Sequence, residues 1–332
     1  MSVPENRCLS LLRPMKGGGY CPRAVRELWG GARVRPELPF DRAAFNAFRS
    51  EHSGRMSISG VQEKISLKLD GRALAPVTTG GEYLLKPVPK ALAGLLELPD
   101  DVPANEHATM QIASQVFGIR IAACGLVFFP GGEPALAVRR FDRDPRTGRK
   151  LRQEDFCQLS GRSRAAGGPD FKYNGSHEEV GNVLRRLCPA WKAGIERLYR
   201  LIAFNYVFGN GDAHLKNFSL LESAMGDHLL SPAYDLLCTG IHLPNESRTA
   251  LAMFAGDFET ESFRRNGFLK RPDFLELANR FGMDADFAGH QLDAFAEKRD
   301  KALELVDRSL MTAGAKARYR RLVDDRVKAL RD

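Results

Sequence analysis

No stretch of this sequence is apolar for the roughly eighteen residues a membrane-spanning helix needs, so no membrane association is expected. Cysteine is sparse and scattered. Cys8, Cys21, Cys124, Cys157, Cys188 and Cys238 form no CxxC pair. That argues against a zinc site or a disulfide framework and for a reducing cytosol, the expected location. The opening Met1-Ser-Val-Pro-Glu-Asn-Arg-Cys8 leads only to a short apolar patch, Leu9 to Leu12, and is not expected to be a secretory signal. A full GxGxxG is missing, and so is the βαβ alternation of a Rossmann sheet. The glycine-rich Met15-Lys-Gly-Gly-Gly-Tyr20 has no Gly-Lys-Ser/Thr after it and reads as a turn. There is no internal repeat. The net charge is +8, which favours acidic partners such as nucleotides, nucleic acid or an acidic protein face, or simply solvates the surface. The basic clusters, Arg139-Arg140 and Arg318 to Arg321, are too short for a nucleic-acid arm. Direct, sequence-specific DNA binding is therefore not expected.

What is present is an ordinary globular composition, 43% hydrophobic and 27% charged over 332 residues, enough for one two-lobed domain or two smaller ones. In Lys64 to Leu69 apolar residues alternate with polar ones, as in a strand, and Tyr83 to Pro87 is a second strand ended by proline. Asn105 to Phe117 has a helical apolar face and stops at Gly118. Gly125 to Phe129 and Ala135 to Val138 are two strands joined by a Pro-Gly-Gly turn. The order strand, strand, helix, strand, strand suits a small nucleotide-clamping lobe. Beyond about residue 142 the pattern is mainly helical. Ile195, Leu198, Tyr199, Ile202 and Tyr206 fall at helical spacing, and further helices are expected over 272–281, 286–310 and 316–330. Residues 143–150 and 165–174 are polar, glycine-containing loops, expected to be mobile. The division expected is a short N-terminal subdomain, 1–50, then 51–142, then a helical 143–332.

The helix through Tyr206 leads into Phe208-Gly-Asn-Gly-Asp-Ala-His-Leu-Lys-Asn217, and Asp235 follows in Ser231-Pro-Ala-Tyr-Asp235. Asp212, four intervening residues and Asn217 is the spacing of a kinase catalytic loop, and a second acid downstream is what a metal-bound triphosphate needs. Asp212 would accept a hydroxyl proton, while Asn217 and Asp235 would hold Mg²⁺. An Asp in an Asn-Gly-Asp run also serves as a plain turn residue. Lys216 could steady transferring phosphoryl charge; a lone histidine such as His214 is more often structural. Upstream, Ser57-Ile-Ser59-Gly-Val-Gln-Glu-Lys64 is a small-residue turn whose backbone N–H groups could approach phosphate, or a hairpin lead-in. Its serines could themselves accept phosphate. Lys86 could pair with the phosphates and with Glu106, unless Glu106 only complements a helix start. Val138-Arg-Arg-Phe-Asp142 could offer backbone groups to adenine, or be a strand entering a charged turn.

Together these segments resemble the HipA-like serine/threonine kinases, toxins of bacterial toxin–antitoxin systems. The likeness is carried by Ser57 to Lys64, Leu85-Lys86-Pro87, Asn105-Glu106, Leu136 to Arg143, Gln153-Glu-Asp-Phe-Cys-Gln158, Gly211 to Asn217 and Tyr234-Asp235, in the family's order. It implies an α+β, two-lobed protein-kinase-like fold, with a small, mainly β N-lobe and a larger helical C-lobe, that binds ATP and Mg²⁺. On the family pattern Asp212 is the catalytic base, and Asn217 and Asp235 are the metal ligands. Ser59, Gly60, Val61, Gln62, Glu63 and Lys64 form the phosphate loop, and Lys86 contacts the phosphates. Arg139, Arg140 and Phe141 form the adenine hinge. His214, Leu215, Lys216, Asn217, Tyr234 and Asp235 line the nucleotide site. Ser57 matches an autophosphorylated serine whose modification switches the kinase off, and Ser59 is a second acceptor, as in the compact HipT subgroup. That subgroup receives an N-terminal subdomain as a separate small protein, and only 56 residues precede Ser57 here. The resemblance thus implies a HipS-like partner, a HipB-like helix-turn-helix antitoxin through which DNA is met indirectly, and an aminoacyl-tRNA synthetase as substrate. The alternative is a nucleotide-binding scaffold or co-repressor acting through the antitoxin. A small-molecule kinase is a more remote option.

Overall fold

The computed structural model describes residues 4, 6–52, 63–92, 94–144 and 147–331. The chain divides into two compact units. The first comprises 1–112, 122–141 and 304–316; the second comprises 113–121, 142–303 and 317–332.

The first unit is built on an antiparallel sheet in the order β2-β1-β3-β5-β4. Its strands are β1 (Ile65–Asp70), β2 (Ala73–Pro76), β3 (Tyr83–Pro87), β4 (Cys124–Phe128) and β5 (Pro134–Arg139). The β1 alternation places Ile65 and Leu67 in the core and leaves Lys68 and Asp70 exposed. The short strand β2 closes a hairpin on β1, with Leu69 opposite Leu74. Helices α1 (Pro22–Glu27) and α2 (Arg42–His52) precede the sheet. Leu28, Trp29 and Phe45 share one core with Ile65, Leu67, Leu85, Val127 and Ala137. Burial of each large side chain there contributes about 1.5–3 kcal/mol.

Helix α3 (Val102–Gln115) begins three residues before the expected Asn105, on a Pro99–Asp101 turn. It is buried on every side from Val102 to Ala113, so its polar residues need internal partners. His107 meets the Ser10 carbonyl at 2.7 Å, and burial lowers its pKa to about 4, so the ring is neutral. Just before the helix, Asp101 accepts from Thr312 N–H and hydroxyl at 2.6 and 2.7 Å.

The second unit is mainly helical: α4 (Phe156–Leu159), α5 (Arg164–Gly167), α6 (His177–Leu187), α7 (Trp191–Val207), α8 (Glu261–Asn266), α9 (Arg271–Arg280) and α10 (Ala285–Glu297), then part of α11 (Arg299–Arg308) and most of α12 (Ala313–Arg331). It also holds a three-stranded antiparallel sheet in the order β6-β7-β8, from Gln153–Asp155, Ser219–Glu222 and His228–Leu230. The single helix expected over 286–310 is two helices that break at Lys298. No residue between Phe295 and Ala302 is buried, so the apolar stripe that would hold a continuous helix is interrupted. Phe117 stacks on Phe295 and meets Phe204 and Phe208 edge-on, around the C-terminal end of α7.

Helix α7 ends in a Schellman motif. Gly209 N–H donates to Tyr206 O, and Asn210 N–H donates to Asn205 O at 2.8 Å. Gly209 sits at φ +64°, where a side chain is strained, and a Cβ there would lie 2.5 Å from Leu322. Gly209→Ala should therefore cost about 2 kcal/mol from backbone strain and overpacking. Urea unfolding measures this; a change within about 0.5 kcal/mol would refute the account of the turn.

Candidate active site

The Schellman turn aims the chain into the loop that carries Asp212. Asn210 binds back twice through its side chain, to Asn205 Oδ1 at 3.0 Å and to the Asp235 carbonyl at 3.3 Å. Gly211 N–H donates to Thr239 Oγ1 at 2.8 Å. A Cβ on Gly211 would lie 2.4 Å from the Ser247 carbonyl, so only glycine fits this approach. The loop is thereby fastened to 235–247 before Asp212 is reached.

Asn217 and Asp235 are eighteen residues apart, and a hairpin returns one to the other. β7 starts two residues after Asn217 and pairs with β8 through Leu220–Leu230 and Leu221–Leu229, and β8 ends five residues before Asp235. Ser231 N–H closes the hairpin on Ser219 O, and Tyr234 Oη donates to the Lys216 carbonyl at 2.8 Å. Asn217 Nδ2 then lies 3.4 Å from Asp235 Oδ2, and Asn217 Oδ1 accepts from His214 N–H at 3.1 Å. Asp235 is left-handed at φ +55°, a conformation an aspartate adopts at some cost. Such strain concentrates at functional positions.

A side-chain amide and a carboxylate can supply the hard oxygen donors that magnesium takes, although here Asn217 turns Nδ2 toward Asp235 and Oδ1 toward His214 N–H, so the amide would have to rotate to present its oxygen. Among the described residues no group of three or more His, Cys, Asp or Glu is placed to hold a metal alone. Magnesium does not need one, since it is usually held by one or two protein oxygens plus waters and substrate phosphates.

The Asp212 side chain is 45% exposed. Its Oδ1 accepts from Tyr173 Oη at 2.6 Å, and its Oδ2 lies 4.0 Å from His214 Nε2. Burial lowers the His214 pKa, so its ring is neutral at physiological pH and the contact is not an ion pair. Leu215 is buried and contributes its backbone, which donates to Lys172 O. Lys216 Nζ pairs with Asp155 Oδ2 at 2.9 Å; the other Asp155 oxygen caps α4.

In the first unit, Lys86 Nζ meets Glu106 Oε1 at 2.5 Å, with side chains only 4% and 2% exposed. The Lys86 register, opposite Leu136, turns its side chain toward α3. Glu63 is bound by Arg42, which also holds the Val88 carbonyl, and by Arg49 at 3.6 Å. Lys64 leads directly into β1. Arg139 donates to the Glu27 carbonyl and Arg140 N–H to the Glu82 carbonyl, and the boundary between the units falls between Phe141 and Asp142. Ser57, Ser59, Gly60, Val61 and Gln62 lie outside the described residues.

Four residues to which the sequence assigned no role stand around the Asp212 loop: Tyr173, Thr239, Glu246 and Asp155, the last within the segment Gln153 to Gln158. The loop 165–174, expected to be mobile, is in fact anchored: Leu215 N–H holds Lys172 O, and Tyr173 reaches Asp212. Glu246 accepts from Thr239 Oγ1. Burial, with the Asp212 charge adding to it, pushes the Glu246 pKa up to about 7.

The architecture defines a class before a family. Two solved structures share the fold: HipA of Shewanella oneidensis MR-1, solved with HipB and operator DNA, and the proinflammatory kinase CtkA of Helicobacter pylori. The first has a TM-score of 0.63 at 22% identity, covering 83% of this chain and 65% of that one. The second has a TM-score of 0.51 at 13% identity, covering 80% and 93%. The fold is that of the two-lobed kinases. The family model for the HipA-like C-terminal domain matches residues 56–307, and the chain belongs to that family. A candidate kinase of Haemophilus influenzae is 28% identical over 328 residues, covering 92% of each chain. The serine/threonine-protein kinase toxin HipA of Shewanella oneidensis is 30% identical over 217 residues, 60% of this chain but only 47% of the toxin.

Two outcomes follow from these contacts. Lys86→Met leaves the buried Glu106 without its lysine and should cost about 3–5 kcal/mol, while Lys86→Met with Glu106→Leu should recover most of that. Denaturant unfolding distinguishes them; a single variant as stable as wild type would exclude the buried pair as a structural element. For Glu246 the folded pKa lies above the ordinary 4.5, so the native state binds more protons than the unfolded chain between about 4.5 and 7. Its contribution to stability should therefore decline as pH rises through that window, by on the order of 1 kcal/mol after allowance for solvent screening. Glu246→Gln should flatten the pH dependence of thermal unfolding, and parallel curves would contradict the assignment.

Proposed function

We propose that the chain is an ATP-dependent protein serine/threonine kinase, the toxin of a HipBA- or HipBST-like toxin–antitoxin system. The observation that carries this reading is the loop itself: an accessible Asp212 carboxylate five residues before Asn217, whose side chain lies 3.4 Å from Asp235. In this reading Asp212 takes the proton of an acceptor serine or threonine hydroxyl as the hydroxyl oxygen bonds the γ-phosphorus and ADP leaves. Asn217 and Asp235 would hold Mg²⁺, which supplies charge neutralisation at the phosphates. Lys86, kept in place by Glu106, would meet the phosphates, and Ser59 to Lys64 would wrap them through backbone N–H groups. Arg139 to Phe141 would offer the adenine edge its backbone. His214 to Asn217 and Tyr234 would complete the nucleotide site.

The relative named as a serine/threonine kinase toxin supports the toxin reading, and the HipA solved with HipB and operator DNA supports a HipB-like antitoxin partner. DNA would then be met through that partner. Phosphorylation of an aminoacyl-tRNA synthetase near its ATP-binding loop would stop tRNA charging and arrest growth. Autophosphorylation at Ser57 or Ser59 would switch the kinase off, and a small HipS-like protein would complete the N-terminal part, as in the compact HipT subgroup. Action in the cytoplasm is part of the same reading.

The test is a mass-spectrometric phosphosite map after incubation with Mg-ATP, for wild type and Asp212→Asn. Serine phosphate at Ser57 or Ser59 in wild type alone, with ATP affinity similar in both, is the expected result. Equal phosphate in the two proteins would remove Asp212 as the base. No phosphate in either, with ATP still bound, would favour a nucleotide-binding co-repressor.

A further inference from the structure

The 165–174 segment has no role in the mechanism above, yet its Tyr173 touches the central carboxylate. The contact is held from both sides. Upstream, Lys172 O accepts from Leu215 N–H at 3.1 Å, inside the Asp212 loop itself. Downstream, Gly175 O accepts from Ala252 N–H, and Ser176 caps α6. Tyr173 N–H is bound to Asp170 O at 2.8 Å. Its ring packs edge-on against His214, with centroids 5.3 Å apart, and Lys172 Nζ lies 4.7 Å above its face. The phenol therefore has little freedom at the point where it donates to Asp212 Oδ1.

An isolated Asp side chain turns readily about its last torsion, which is broad and roughly two-fold. A general base needs one oxygen presented in a fixed direction, because misplacement of about 1 Å costs on the order of a hundredfold in rate. Tyr173 bonds one oxygen. The other, Oδ2, is beyond hydrogen-bond reach of His214 at 4.0 Å, and the side chain stays 45% exposed. The phenol thus grips the carboxylate without covering it. Burial and the adjacent Asp212 raise the Tyr173 pKa well above its ordinary value, so the group remains a donor at any working pH.

We infer that Tyr173 is a positioning residue for phosphoryl transfer: its hydroxyl fixes the Asp212 carboxylate so that Oδ2 faces the acceptor hydroxyl. The inference rests on Asp212 being the base, as proposed above. It also assigns segment 165–174 a place at the acceptor end of the site.

The experiment compares wild type, Tyr173→Phe and Asp212→Asn by the rate of ³²P incorporation from Mg-[γ-³²P]ATP into the chain. Phenylalanine keeps the ring against His214, and a thermal melt checks that each variant is folded. Tyr173→Phe should lower the maximal rate about tenfold, with the half-saturating ATP concentration and the melting temperature unchanged. Asp212→Asn, expected to incorporate no phosphate, sets the background. An unchanged rate in Tyr173→Phe overturns the inference. A faster Tyr173→Phe overturns it too, showing the phenol to be a plug in the acceptor's place. So does phosphotyrosine at 173 in wild type. If wild type incorporates no phosphate while binding ATP, the kinase reading itself fails and this inference falls with it.

Discussion

The loop from Gly209 to Asn217 carries its chemistry only because its backbone has fixed partners. A loop must either leave its N–H and C=O groups in water or find each a partner. Here the partners are supplied from elsewhere in the same unit. Asn205 and Asn210 close the Schellman turn, Thr239 receives Gly211 N–H, and Asn210 holds the Asp235 carbonyl. Each such bond is worth only about 0.5–1.5 kcal/mol net, but leaving any of these buried groups unmet costs more. The arrangement is therefore enforced by the penalty for breaking it. Glycine at 209 and 211 follows from the same constraint: one position needs a left-handed turn, and the other needs room against the Ser247 carbonyl.

The first unit solves the corresponding problem with a helix. α3 is buried on all faces through Ala113 although it carries Asn105, Glu106, His107, Thr109 and Gln111. A helix so placed is a frame for internal polar contacts, and the ion pair to Lys86 is the most demanding of them. Two charges removed from water repay their desolvation only with close geometry, and a hydrophobic pair of similar volume often serves stability as well. A lysine–glutamate pair there is thus not explained by stability alone, which is compatible with the phosphate contact proposed for Lys86.

Much of this was legible in the sequence where a period exists. The alternation at Ile65, Leu67 and Leu69 and the helical spacing from Ile195 to Tyr206 mark β1 and α7 closely. Strands of three or four residues, β2 and β6 to β8, are too short to show a period, and the break at Lys298 is visible only as a gap in burial. Trp29 and Phe45 sit in the core of a sheet that begins at Ile65, a partnership no local pattern records. Within the candidate site, Asp212, Asn217 and Asp235 stand out in the sequence because the chemistry proposed for them would dictate spacing along one loop and one hairpin. Tyr173, Thr239 and Glu246 reach the loop from segments whose distance in sequence is set by the fold, and nothing about a Lys-Tyr-Asn run distinguishes it from ordinary loop polarity.

The same contrast bears on Asn217 and Asp235, the proposed metal ligands. Asn217 and Asp235 are brought together by a hairpin whose register is fixed by Leu220–Leu230 and Leu221–Leu229. A one-residue slip would turn Leu220 from the core to the opposite face, so the register resists slippage. The distance between the two side chains is therefore set by apolar burial several residues away. Two oxygen donors remain too few to hold a hard divalent ion firmly, and the rest of its octahedral shell would have to come from water and phosphate. A site so built would bind metal well only when the nucleotide arrives with it. The left-handed backbone at Asp235 fits that arrangement: its main chain is held by the Asn210 bond to the Asp235 carbonyl before any ligand binds.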